Sequence, residues 1–174
     1  PFEYRKPKDN ERRVPCVDCE TILFVSPQAT STQCSSCSAY VNLQSFNIMG
    51  DRRENIKTRG DIVINKKGSL TASAIVCTDL TVHGKVSGKI DCAGDAFFKT
   101  DAKVVGSVRC KRLMIHKTSD LEFFPGIRAE TAEVHGQIKG DLICEGTIKI
   151  TKTGAVFGDC TAPAIVLEDG GTLS

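Results

Sequence analysis

The sequence has 174 residues, enough for one ordinary domain or for one domain with a small additional module. A net charge of +2 gives no strong field for nucleic acid or an anionic membrane, and no apolar run approaches the ~20 residues that a transmembrane helix needs. Abundant Gly, Val, Ile and Thr favour strands over helices. Nine cysteines without a recognisable signal peptide indicate reduced thiols in the cytoplasm, some of them on a metal.

The first predicted unit, residues 1–42, contains two cysteine pairs. "CVDC" supplies Cys16 and Cys19, and "CSSC" supplies Cys34 and Cys37, with 14 residues between the pairs. A short hairpin between two such C-x2-C turns would gather four thiolates around one ion, so we predict a closed, structural Zn²⁺ site. Four unrelated free thiols are the alternative. A redox role is less favoured, because neither pair opens a helix in a βαβ unit.

The stretch "VPCVDCETILFVSPQATSTQCSSC" resembles zinc ribbons, particularly the short plant-type fingers that read C-x2-C…L…P-x-G-A-T-S-x-x-C-x2-C. Gln28 stands where that pattern prefers Gly. The resemblance implies a zinc-ribbon fold and carries no DNA-binding role. In residues 1–13 basic and acidic residues are interleaved, so this N-terminal tail does not predict a nucleic-acid partner either.

Residues 43–59 show neither a repeat nor a clear period and are predicted to be a linker. From residue 60 to residue 174 the sequence repeats: the tripeptide at 82–84 recurs at 134–136, an offset of 52 positions. Glycines in phase divide this offset into units of 17 or 18 residues: Gly88, Gly106, Gly140 and Gly158.

Within each unit, apolar and polar residues alternate with the period of a half-buried strand. Such short strands bury their inner faces only by stacking on the next unit. The sequence therefore predicts an all-β protein, a triangular β-helix solenoid of about six to seven coils preceded by a small zinc-ribbon module. The period alone does not determine the hand of the helix. Residues 119–128, which include a proline, are predicted to interrupt the array with a bulge or corner loop.

Five cysteines lie in the array, and we predict that they are small apolar core residues rather than a second metal site: Cys77, Cys92, Cys110, Cys144 and Cys160. His83 and His135 occupy equivalent positions three coils apart, which indicates a copied turn rather than a single general base. His116 is predicted to be an exposed solenoid residue.

The stretches "GDIVINKKGSLTASAIVCTDLTVHGKVSGKIDCAG" and "AEVHGQIKGDLICEGTIKITKTGAVFGDCTAPAIVLEDGG" resemble the bactofilins, bacterial polymer-forming cytoskeletal proteins. Cys144 stands where that family usually has Ala. The resemblance covers residues 60–174. It implies a right-handed triangular β-helix that polymerises end to end, without nucleotide, into non-polar filaments that scaffold other proteins at the membrane.

A solenoid with no capping element also exposes unpaired strand edges and an apolar cross-section at its ends, which favours open assembly. The residues predicted to lie at or beneath the polymer contacts are Ile62, Ile64, Ile165, Leu167 and Leu173. The expected partners are further copies of the chain and an unidentified protein held by the zinc ribbon, with no small-molecule substrate. We expect a cytoplasmic location, and association with the inner face of the membrane stays open.

Two other functions are compatible with this sequence. A hexapeptide-like acyltransferase would form a closed trimer and use His83 or His135. A zinc-ribbon regulator would bind nucleic acid and use the solenoid to oligomerise.

Overall fold

A computed structural model describes residue 8 and residues 10–101 and 103–174, apart from the side chain of Lys103. Most of the predicted N-terminal tail, residues 1–7 and 9, lies outside the described residues. The described chain is built from strands: β1 Arg12–Pro15, β2 Ile22–Val25, β3 Ser31–Gln33, β4 Tyr40–Asn42, β5 Phe46–Ile48, β6 Asp51–Arg52, β7 Ile56–Lys57, β8 Ile62–Ile64, β9 Ser69–Cys77, β10 Leu80–Val82, β11 Lys85–Cys92, β12 Asp95–Phe98, β13 Lys103–Val105, β14 Val108–Ile115, β15 Asp120–Val134, β16 Gln137–Cys144, β17 Thr147–Ile150, β18 Ala155–Phe157, β19 Cys160–Thr161, β20 Ala164–Leu167 and β21 Thr172–Leu173. The all-β prediction is confirmed.

Residues 10–43, here called the cysteine module, consist of two hairpins. β1 pairs antiparallel with β2, and β3 pairs antiparallel with β4. The module has a small core of its own, formed by Val14, Cys16, Leu23, Val25, Cys34, Val41 and Leu43. This core is separate from that of the remaining strands.

Strands β5 to β21 form one parallel ladder wound into coils, here called the rod (residues 46–173). Inner coils contribute strand segments to three sides, and each of these segments pairs with its equivalents in the coils before and after it. On side one the inward column has eight rungs: Ile48, Ile64, Val82, Phe98, Ile115, Val134, Ile150 and Leu167. The rod therefore makes about seven coils of 16–19 residues, and the predicted β-solenoid is confirmed.

The phasing glycines lie where side two turns into side three. Gly88 and Gly106 have φ values of 138° and 135°, a conformation that L side chains rarely adopt. A Cβ placed on Gly106 would lie 1.9 Å from the carbonyl oxygen of Gly88 in the preceding coil. Between Gly88 and Gly106 the coils thus approach each other too closely for a side chain, which explains why glycine recurs at this corner.

Residues 43–59, predicted to be a linker, form most of the first coil instead. β5, β6 and β7 pair in parallel with β8 and β9, and Ile48 and Ile56 are buried in the rod core. The period was hidden because these strands are only two or three residues long and because Arg52 stands in the inward column of side two. We refer to residues 46–58 as coil one.

The irregular stretch at 119–128, apart from Ser119, lies within the long strand β15 rather than in a loop. Its register against β16 shifts between Glu122 and Gly126, and the bond between Phe124 and Pro125 is cis. The expected interruption is therefore a bulge that keeps the ladder on both sides.

Candidate metal centre and rod ends

The four cysteines of the module lie at the tips of its two hairpins. Cys16 and Cys19 occupy the turn between β1 and β2, and Cys34 and Cys37 occupy the turn between β3 and β4. Their four Sγ atoms all lie within 4.8 Å of one another. The structure thus brings together the four predicted ligands, and this cluster could hold a metal ion.

The geometry of the cluster fits a tetrahedral ion. The distance between Sγ of Cys16 and Sγ of Cys37 is 3.6 Å, and that between Cys19 and Cys34 is also 3.6 Å. Zn–S bonds of about 2.3 Å place tetrahedral sulfurs about 3.8 Å apart. The amides of Asp18 and Ser36 each donate to a knuckle sulfur, Cys16 and Cys34, at 3.4 Å, which favours the thiolate form.

The environment also separates the proton affinities of these thiols. The hydroxyl and the amide of Thr21 lower the pKa of Cys19 to about 6. The pKa of Cys37 is raised to about 12, because lost solvation and the neighbouring thiols outweigh the hydrogen bond from Ala39. A divalent cation would replace the protons that these crowded sulfurs hold.

The C-terminal end of the rod exposes apolar side chains. In the last coil Ile165, Leu167 and Leu173 are 40%, 49% and 39% exposed. Their partners one coil inward are Ile148, Ile150 and Val156, and each of these is 0% exposed. Within the described residues, the inward columns of sides one and two therefore finish in side chains that no further coil covers.

The N-terminal end is different. The predicted contact residues Ile62 and Ile64 lie one coil further inward than expected and are fully buried, because β5 of coil one covers them. In coil one, Arg52 occupies the inward column of side two, pairs with Glu54 and lies 5.5 Å from the ring centroid of Phe46. At this end the inward column of side two thus finishes in a charged side chain, and Ile48 and Ile56 of coil one are already buried.

The cysteines of the rod lie in the core, as predicted. Cys77, Cys92 and Cys110 follow one another in a single inward column of side three, and Cys144 continues it beyond Ala129. All four are buried. Cys160 is only partly buried because it lies in the last coil of that side.

The three histidines lie on one corner of the rod, where side one turns into side two. His83 and His116 make edge-on contacts with the ring of Phe97 at 6.4 and 6.2 Å. Among the described residues, His135 alone of the three histidines lies against a carboxylate, with Nε2 2.7 Å from Glu133, since the equivalent position before His83 is Thr81. The repeated histidines therefore share a turn but not a catalytic environment.

A parallel β-solenoid whose end leaves apolar columns uncovered defines a class of structural protein that can extend by stacking on further copies. The sequence pattern of the bactofilin family, described as polymer-forming cytoskeletal, matches residues 35–123 and 122–174. These matches cover most of the chain, which therefore belongs to the bactofilin family and is a structural protein rather than an enzyme. No curated protein and no solved structure matches the chain significantly. In the part of the chain that the structure describes, no helix is long and apolar enough to cross a bilayer.

Proposed function

We propose that the rod assembles end to end into nucleotide-independent filaments and that two C-terminal ends form the stronger contact. The uncovered last coil carries this proposal. Stacking a second copy there would remove Ile165, Leu167 and Leu173 from water, at about 25 cal/mol for each Å² of apolar surface. It would also pair the free edges of β20 and β21.

Leu173→Arg tests this contact. The side chain lies near the chain end, so little core is lost, but its charge would enter the proposed interface. We expect sedimentation to show monomers, or dimers joined through the N-terminal ends, in place of filaments. Thr172→Arg is the matched control, because the partner of Thr172 is Ala155 on the outer surface of side two. Filaments of normal length from Leu173→Arg would contradict the proposal, as would a discrete trimer from the unmodified chain.

The metal in the cysteine module is proposed to be Zn²⁺ in a structural role. Four cysteine ligands leave no open position for a water molecule or a substrate. Freshly reduced protein should therefore contain about one zinc per chain by elemental analysis. Cys37→Ser should release the zinc and loosen the module while the rod stays folded, because the two cores are separate. Metal-free protein would refute the site.

The exposed residues of the module are proposed to bind a client protein. Tyr40 in β4 is 69% exposed and Ile22 in β2 is 42% exposed, and large apolar side chains of this kind commonly anchor interfaces. Filaments would present these residues at regular intervals. Loss of a captured client from Tyr40→Ser, but not from Thr172→Arg, would support this role.

Membrane association is proposed to use the corner between sides one and two, which faces lipid along the filament. Exposed lysines occupy this corner in coils along most of the rod: Lys66, Lys67, Lys99, Lys117 and Lys152. The acidic residues of the same corner are Asp101 and, in the last coil, Glu168 and Asp169. Each cation near an anionic surface contributes about 1 kcal/mol, and polymerisation multiplies this attraction. Filaments that ignore phosphatidylserine vesicles at low salt would refute this proposal.

A further inference from the structure

Arg59 joins the cysteine module to the rod. It follows coil one at the corner between sides three and one, and only 7% of its surface is exposed. Its Nε donates to the carbonyl oxygen of Pro15 at 2.8 Å, and its Nη2 donates to the carbonyl oxygen of Cys16 at 3.2 Å. Burying a guanidinium costs free energy unless its N–H donors find acceptors. Here one of the acceptors is the carbonyl oxygen of Cys16, which is also a proposed metal ligand.

The second hairpin of the module meets the same corner. The amide of Arg59 donates to the carbonyl oxygen of Asn42, the last residue of β4, at 2.8 Å. The hydroxyl of Thr58 also lies within hydrogen-bond distance of this carbonyl oxygen of Asn42, at 3.2 Å. Both halves of the cysteine module are thus fastened to one point of the rod, immediately after coil one.

Opposite charges also meet at the junction between the cysteine module and the rod. Lys57 in β7 forms an ion pair with Asp18, between Cys16 and Cys19, at 2.5 Å. A metal centre of one Zn²⁺ and four thiolates carries a net charge of about −2. Arg59 and Lys57 therefore present two cations to the knuckle that would carry this negative charge.

Coil one needs such support. Its strands pair on one face only, with β8 and β9, and two of the three are only two residues long. Terminal repeats of a solenoid contact a single neighbour and open first. The contacts to the cysteine module are an additional set of interactions that hold residues 46–58 in place.

We propose that the junction of Arg59 with the cysteine module is a clamp through which metal binding orders coil one. Metal occupancy would thereby control the N-terminal end of the rod and its capacity to accept another copy. The proposal rests on the metal site proposed above. Because coupling between two sites is reciprocal, an intact clamp also raises the affinity of the module for zinc.

Hydrogen exchange on the full chain tests the clamp, in the Leu173→Arg background so that filament formation does not mask exchange. Chelating the zinc should accelerate exchange in residues 46–58 by about tenfold or more and leave residues 137–150 unchanged. The Arg59→Met variant should still bind zinc when zinc is in excess. Its amides in coil one should nevertheless exchange fast, and chelation should barely increase that rate. Arg109→Met is the matched control, because it removes an outward cation of side three from a later coil. Its coil one should show the same zinc-dependent exchange rates as the Leu173→Arg parent.

The hydrogen-exchange results distinguish failure of the clamp from failure of the metal site. Coil one exchanging equally fast with and without zinc would overturn the clamp and leave the metal site intact. Zinc-loaded Arg59→Met with unchanged exchange would also overturn it, whereas a chain that never binds metal would overturn both proposals. If Arg59→Met fails to fold, chelation of the Leu173→Arg parent still gives the answer. Filament formation by zinc-loaded protein with and without Leu173→Arg, measured separately, reports on the C-terminal contact, which the clamp does not touch.

Discussion

At the scale of single residues, the cysteines of the rod have the character of apolar side chains. Sγ of Cys77 lies 3.7 Å from Sγ of Cys92 in the next coil. Burial raises the pKa of Cys110 to about 12 and that of Cys144 to about 11. Thiols that hold their protons this strongly react slowly, so the column serves packing rather than redox chemistry.

Substitution of Cys110 measures this packing. Cys110→Ala should lower the free energy of unfolding by about 1 kcal/mol, whereas Cys110→Asp should cost several times more because a charge enters the apolar column. Denaturant unfolding gives both values. The neighbouring outward residue provides the control: Arg109→Asp should change stability far less. Rapid alkylation of native Cys110 by iodoacetamide would contradict its inward position.

The raised thiol pKa values also predict a loss of stability in alkali. An unfolded chain releases these protons near the ordinary cysteine pKa of 9, whereas folded Cys110 keeps its proton until about pH 12. The stabilisation is therefore complete below about pH 9 and is lost as the pH rises toward 12. The melting temperature should fall over this window, and it should fall less steeply for Cys110→Ala. Equal slopes for the two proteins would exclude this thiol as the cause.

At the scale of elements, the repeat was predictable where glycine spacing and apolar alternation agree, as they do from β11 to β19. Coil one was missed for two reasons. An alternating period cannot be read from strands of two residues, and one of these strands, β6, places the charged Arg52 inward. The metal ligands were predictable because two local C-x2-C turns specify them. The clamp was not, because Arg59 and its acceptor Cys16 are 43 positions apart and no local pattern connects them.

The tight corner of the coil gives a prediction about an element. Gly106→Ala combines a positive φ of 135° with a backbone clash against Gly88, so it should destabilise the rod by about 2–4 kcal/mol. Gly50→Ala is a matched control because a Cβ there would meet nothing within 4 Å. Thermal unfolding of the two variants measures the difference. Similar melting temperatures of the two variants would mean that the coils can separate at this corner without loss of stability.

At the scale of the whole molecule, the unequal ends favour one order of assembly. In a head-to-tail filament that continued the coils, the column of side two would place Arg52 of one copy against Leu173 of the next. That contact would desolvate a guanidinium on an apolar surface. Two C-terminal ends would instead bring apolar columns together, leaving the N-terminal ends to form a second, weaker contact.

Arg52→Leu should therefore strengthen assembly. The substitution continues the apolar column that Leu70 begins in the next coil, and it removes a charge that must lose water when N-terminal ends meet. We expect a lower critical concentration for filament formation, measured by sedimentation. Arg53→Leu removes a neighbouring, 79% exposed arginine outside the column and should leave the critical concentration nearly unchanged. A critical concentration that rises in Arg52→Leu would show that this arginine makes the N-terminal contact instead of weakening it.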